Sequence, residues 1–322
     1  MTAPSHAEER RGSSNPRPAQ RFCAEDSLAI GDPLVGSAAH AERNLLISWP
    51  RPKWLRSLRQ AKDMPEAVRE RLGALAEAGR RVNLIHRRGE DAELHRIFLM
   101  PECREYRVPR EELEAFLAAF ADDAALDAWA VGKVTRPLIL CCTHGKKDKC
   151  CAKFGYATYQ AIAGAVARDE RPFEVWESTH LGGCRLATSA LVLPALRKYG
   201  RITPAEVPGL LEAEGEDRPY LPCYRGDSRL TPVEQCAQVA ALEWLAARGH
   251  HARASVEDAL IDDDGDDDGS RRRLPVRWQA GEQEGRLVVS CLESELIRHD
   301  TCSDADAGPP TPSRVWRATR ID

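Results

Sequence analysis

Residues 137–184 read PLILCCTHGKKDKCCAKFGYATYQAIAGAVARDERPFEVWESTHLGGC, and the order of patterns within them decides the fold. An apolar run ends in Cys141 and Cys142, a short strand-like signature that stops at a polar loop. The loop THGKKDKCC leads into AKFGYATYQAIAGAVARD, whose small and apolar residues recur at helical spacing. FEVWEST then reads as a second strand, HLGGC as a turn, and LVLP as a third strand. Gly182 and Gly183 permit a tight backbone path that brings His180 and Cys184 to one side.

A strand, loop, helix and strand in that order, with cysteines at the exit of the first strand, suggest a thioredoxin-like α/β layer. Upstream, Asn44 to Trp49 reads as a buried strand bounded by Pro50, PEAVRERLGALAEAG as a helix closing at Gly79, and VNLIHR and HRIFLMP as strands separated by RGEDAE. The segment 108–130 begins with a proline and acids and places Leu113, Phe116, Leu117 and Phe120 on one helical face. Downstream, RKYGRITPAEVPGLLEAEG continues the layer, and TPVEQCAQVAALEWLAARG is a helix ending in glycine. LPVRWQA, GRLVVSCLES and SRVWRATRI then read as a small antiparallel sheet interrupted by the polar CSDADAGPPTPS. The expected organisation is a disordered tail over 1–20, an α+β domain over 21–133, a thioredoxin-like domain over 134–248 and a C-terminal β extension with an acidic loop over 249–322. The class is α/β, α+β overall, and no repeat of the solenoid kind is evident.

Composition narrows the function. With 43% hydrophobic and 30% charged residues over 322 positions, the chain reads as a globular protein, and no stretch approaches the ~20 apolar residues of a membrane span. The first twenty residues lack an apolar core of the secretory type, so a cytoplasmic protein is expected. Eleven cysteines in a reducing compartment argue for metal, redox or burial roles over a disulfide framework. A net charge of -4 from nearly balanced acids and bases gives no support to nucleic-acid binding.

Cys142 and Cys151 stand nine positions apart, and Cys141 and Cys150 share that separation, so spacing alone leaves two registers open. Neighbours in a strand point to opposite faces, so one of Cys141 and Cys142 faces the loop and the other the core. With His180 and Cys184 they offer a split site of soft ligands, spaced unlike common zinc patterns but compatible with an iron–sulfur cluster. His144 is a further donor in the loop, either a ligand or a hydrogen-bond donor to a sulfur. Lys146, Lys147 and Lys149 give the loop a local positive charge suited to an iron–thiolate centre or an acidic redox partner, or form a solvated turn.

The strings CTHGKKDKCCAKFG, WESTHLGGCRLATSALVLP and KYGRI, with FCAEDSLAIGDPLVGSAAHAERNLLISWPRPKW upstream, resemble the sucrase/ferredoxin-like family over most of Phe22 to about Ala247. The resemblance implies a thioredoxin-like [2Fe-2S] protein, with the family's two cysteines, which have eight residues between them, at Cys142 and Cys151. The first histidine of its H-x-G-G-H motif falls at His180. Its second falls at Cys184, so this chain is expected to offer three thiolates and one imidazole. One histidine implies a potential between all-cysteine and two-histidine centres, and His180 would couple proton uptake to reduction. Nothing in the chain resembles a glycosidase carboxylate pair, despite the family name.

Two alternatives use the same residues. A thiol redox enzyme would use Cys141–Cys142 or Cys150–Cys151 but lacks C-x-x-C at a helix start, and a structural zinc protein would use the four ligands without redox chemistry. Cys23, Cys103, Cys223, Cys236, Cys291 and Cys302 are scattered singly and are expected to be buried or exposed by chance. Arg185 is a candidate contact to a partner or to the cluster, Trp49, Trp54, Trp176 and Trp244 read as core, and the acids of residues 262–268 lack a full calcium-loop pattern. With no G-x-G-x-x-G, electrons are expected from a separate redox protein or reductase.

Overall fold

The computed structural model describes residues 21–257 and 269–322. The expected tail over 1–20 and the acidic run at 262–268 lie outside the described residues.

After a short helix α1 (Cys23–Ala29), the first half of the molecule runs β1 (Asn44–Ser48), α2 (Glu66–Glu77), β2 (Arg81–His86), β3 (Leu94–Met100), β4 (Arg104–Pro109), α3 (Leu113–Ala121) and β5 (Ala130–Lys133). The second half repeats that order with β6 (Leu138–Cys142), α4 (Tyr156–Arg168), β7 (Glu174–Ser178), β8 (Ala190–Leu193), β9 (Arg197–Tyr199), α5 (Val207–Gly215) and β10 (Tyr224–Asp227). Each half is a parallel βαβ unit followed by an antiparallel pair, a helix and an edge strand, in the order β2-β1-β3-β4-β5 and β7-β6-β8-β9-β10. That is the thioredoxin-like arrangement, present twice. The halves join through antiparallel pairing of β2 with β7, Ile85 opposite Ser178 and His86 opposite Glu177, into one ten-stranded sheet. Arg96 and Arg87 reinforce the seam by pairing with Glu174 at 3.1 and 3.2 Å.

Strands covered on both faces can be apolar throughout, which is why all five residues of β6 are buried. Helices α2 and α3 pack on Leu45, Ile47 and Leu84, and α4 and α5 pack on Ile139, Cys141 and Val175. The alternate residues Leu46, Ile85, Leu138, Leu140, Cys142 and Trp176 belong to a separate core on the opposite face, together with α1 residues and most of the remaining cysteines.

Helix α6 (Pro232–Ala246) opens with a Thr231/Glu234 capping box and packs against the small C-terminal sheet of β11 (Arg253–Val256), β12 (Arg271–Ala280), β13 (Gln283–Arg298) and β14 (Thr311–Ile321). A six-residue helix α7 (Cys302–Ala307) lies between β13 and β14, within the polar CSDADAGPPTPS that interrupts the sheet. Among the described residues, no helix is long and apolar enough to cross a membrane.

Candidate metal centre

Strand alternation separates the two cysteines that end β6. Cys141 turns toward α4, where its thiol faces the Gly155 carbonyl at 3.6 Å. Cys142 turns to the opposite face, and its Sγ lies 3.4 Å from Cys151 Sγ. The loop closes by a close approach: a Cβ at Gly155 would stand 2.1 Å from the Cys142 carbonyl oxygen, so only glycine lets the π-helical turn Cys151–Gly155 return against β6. That turn holds the Cys151 thiol under Cys142.

The second pair sits beyond β7. Gly183 adopts φ 77°, a conformation glycine accommodates, and starts the 3-10 turn Cys184–Leu186. There Cys184 Sγ lies 3.3 Å from His180 Nδ1 and 4.0 Å from Cys151 Sγ. The donor atoms of Cys142, Cys151 and His180 all lie within 4.8 Å of one another. The three cysteines are only 2 to 3% exposed, whereas His180 is half-buried and is the member nearest solvent.

Protonation follows from these contacts. Hydrogen bonding with Cys151 draws the Cys142 thiol well below the usual cysteine range against the cost of burial, helped by His180 and by the His144 amide. Cys184 is lowered by Cys151 and His180 in the same way. Cys151, hydrogen-bonded to both, is raised. Burial works against a charged imidazole at His180, yet its bonds to Cys142 and Cys184 push it up to about 9. Three sulfurs and one imidazole nitrogen thus converge, the donor types a soft metal ion takes.

Around the donors, His144 accepts the His180 amide at Nδ1 (3.3 Å) and donates from Nε2 to the Leu55 carbonyl (2.6 Å). The His144 side chain is therefore a brace between the halves. Lys146 reaches the backbone carbonyls of Pro52 and Trp54, and Lys149 pairs with Asp306 at 3.0 Å. Arg185 is held by Asp32 (2.7 Å) and Asp300 (3.1 Å), so its charge is directed at carboxylates and not at the four donors.

Three cations that sequence reading missed surround the site. Arg81 donates to the His180 carbonyl at 2.5 Å. Arg225 lies fully under the glycine turn, donating to the Gly182 carbonyl at 3.1 Å and to Ser37 and Ser189. Lys198 is 1% exposed and donates to the Ala39 carbonyl at 2.8 Å; burial, then Arg225, depresses its ammonium well below the lysine range. Lys198 alone had a signal, its place in the KYGRI string. Nothing local marks Arg81 or Arg225, because their approach to the turn depends on strand pairing.

Cys23 and Cys302 are buried, as expected of single cysteines, but they add something that spacing did not show. They are not isolated: Cys23, Cys150 and Cys302 meet, with Sγ separations of 3.5, 3.3 and 3.5 Å. Chain separations of 127 to 279 positions hid the convergence. Cys223, Cys236 and Cys291 are buried in other clusters, and Cys103 is half-buried.

A family model described as sucrase/ferredoxin-like matches residues 34–226. Among solved structures, the chain is similar to a thioredoxin-like [2Fe-2S] ferredoxin from Aquifex aeolicus. One structure is 14% identical over 28% of this chain and 89% of that one, and the wild type at higher coverage is 15% identical over 28% and 95%, both with a TM-score of 0.26. A cysteine-to-serine variant of the same ferredoxin is 14% identical over 27% of this chain and 96% of that one, again with a TM-score of 0.26. No curated protein sequence matches the chain.

Proposed function

The chain belongs to the sucrase/ferredoxin-like family, and from that premise we propose that it is a [2Fe-2S] electron carrier whose cluster is held by Cys142, Cys151, His180 and Cys184. The observation that carries this reading is the grouping of donors into two couples, Cys142 with Cys151 at 3.4 Å and His180 with Cys184 at 3.3 Å. The sulfur couple approaches one edge of a tetrahedral metal ion, near 3.8 Å for two bonds of about 2.3 Å, and the nitrogen–sulfur couple the shorter edge, near 3.5 Å, that a bond of about 2.0–2.1 Å to nitrogen gives. Three sulfurs and one imidazole nitrogen are also the donor types iron–sulfur clusters accept.

When bound, the cluster supplies a one-electron couple, with one histidine placing its potential above that of all-cysteine centres. The chain's own residues set the rest. Burial of the three cysteines excludes water, Arg81, Arg225 and Lys198 offset thiolate charge, and the half-buried His180 marks the side on which a separate redox protein or reductase would exchange electrons. Eleven unpaired cysteines suit a reducing compartment such as the cytoplasm.

Compactness favours one second reading, a single zinc ion spanning the same donors. Anaerobic purification with iron, sulfide and zinc analysis separates the two. Two irons and two sulfides per chain, visible absorption, and an electron paramagnetic resonance signal on reduction support the carrier. A colourless protein with zinc at these donors sinks it.

A further inference from the structure

Next to the proposed cluster lies a second convergence of soft donors, with Asp148 between the two, within 4.8 Å of Cys151 and Cys184 as well as of this second set. Cys23 starts α1, Cys150 precedes the π-helical turn, and Cys302 starts α7, so three distant parts of the chain deliver sulfurs to one point. All three thiols are buried, with mutual distances of 3.3 to 3.5 Å. Those edges are a few tenths of an ångström shorter than the ~3.8 Å of a tetrahedron with ~2.3 Å zinc–sulfur arms. Little movement would admit an ion.

Asp148 completes the set, its carboxylate lying within 4.8 Å of the three sulfurs. One oxygen accepts the Cys150 amide and the other the Cys302 amide, both at 2.8 Å, so a single carboxylate fixes the backbone of two of the cysteines. The carboxylate is 3% exposed, and no basic side chain forms an ion pair with it among the described residues. A buried charge in that state is costly unless a cation neutralises it. Each oxygen retains acceptor capacity beyond its one amide bond.

The backbone around the sulfurs points the same way. The Ala24 amide faces Cys150 and the Cys23 amide faces Cys302, the N–H···S support that metal thiolates receive and neutral thiols do not need. Apolar packing alone accounts for buried cysteines. It does not account for a buried carboxylate and amide donors directed at them.

We propose that Cys23, Cys150 and Cys302, with Asp148, form a separate structural site for a thiophilic divalent cation, zinc, that ties α1 and α7 to the cysteine loop. Zinc takes three thiolates and one carboxylate oxygen in tetrahedral geometry, and structural sites of this kind add directly to folding stability. Because Cys150 directly precedes Cys151, the ion braces the loop that carries a ligand of the neighbouring centre.

The test uses the full chain, purified anaerobically and dialysed against zinc. One zinc per chain is expected beside whatever iron is present, with a zinc-edge X-ray absorption spectrum fitted by three sulfurs near 2.3 Å and one oxygen near 2.0–2.2 Å. Cys302→Ser and Cys23→Ser should each weaken zinc retention against a chelator at least tenfold while iron and sulfide stay at the wild-type level. If a variant does not fold, alkylation mapping of the wild type decides: all three thiols should be protected with zinc and modified after chelation. Zinc absent with all three thiols freely alkylated, a disulfide among them, or zinc retained in both variants would each overturn the site. An iron-free protein that still holds this zinc would overturn the electron-carrier reading alone.

Discussion

In the first half of the sheet the chain leaves β1 at Ser48 into Trp49 and Pro50, and in the second it leaves β6 at Cys142 into Thr143 and His144. Beyond β2 lies the tight charged turn before β3; beyond β7 lies THLGGC before β8. The two halves thus share strand order, crossover and helix placement, yet all four proposed ligands leave strands of the second half. The frame fixes where a strand ends, and the exit loop decides whether chemistry follows. The first half instead covers the site of the second: Trp54 meets His144 edge-on at 5.8 Å, and the Leu55 and Leu58 carbonyls accept from His144 and Thr179.

The strongest way to break the comparison is to make the second half as inert as the first. Cys142→Ser and Cys151→Ser should remove essentially all iron and visible absorption, while far-ultraviolet circular dichroism stays native because both halves keep their packed sheet. Retained iron in either variant would show that the donors are elsewhere. Cys184→His sharpens it, replacing a thiolate by a neutral ligand: iron should stay at the wild-type level and the potential should rise by on the order of 100 mV, judged from the spread between all-cysteine and two-histidine centres. A potential unmoved in a redox titration would remove Cys184 from the ligand set.

The seam itself supplies the next test. His144→Leu leaves the Leu55 carbonyl and the His180 amide without their partner, a loss of about 1–3 kcal/mol. Chemical denaturation should show a lower midpoint with an unchanged slope, and the absorption spectrum of the bound centre should persist. Disappearance of the spectrum would instead make His144 a ligand.

Much of this was legible in the sequence for physical reasons. The buried run of β6, the small-residue face of α4 and the alternation that separates Cys141 from Cys142 are local patterns. Strand β4 was not legible: in REYRVP only Tyr106 and Val108 are buried, Arg104, Glu105 and Arg107 stand around them, and its last two residues, Val108 and Pro109, read as the start of the following helix. The duplication of the fold was hidden because it is kept in strand order and not in residues. The Cys23, Cys150 and Cys302 convergence depends on contacts across the whole chain, which no spacing encodes.

Lys198 offers the smallest effect and the finest probe. Its ammonium is buried, donates to the Ala39 carbonyl, and interacts with Cys142 at the end of β6. A cation there favours the reduced, more negative centre, so Lys198→Met, which nearly conserves volume, should lower the potential. A unit charge about 10 Å away at an effective dielectric of about 20 contributes roughly 1.7 kcal/mol, or about 70 mV for one electron. The expected drop is therefore some tens of millivolts. A rise in potential, or no change within a few millivolts, would show that Lys198 supports the turn mechanically and that the electrostatic setting of the second half rests on Arg81 and Arg225.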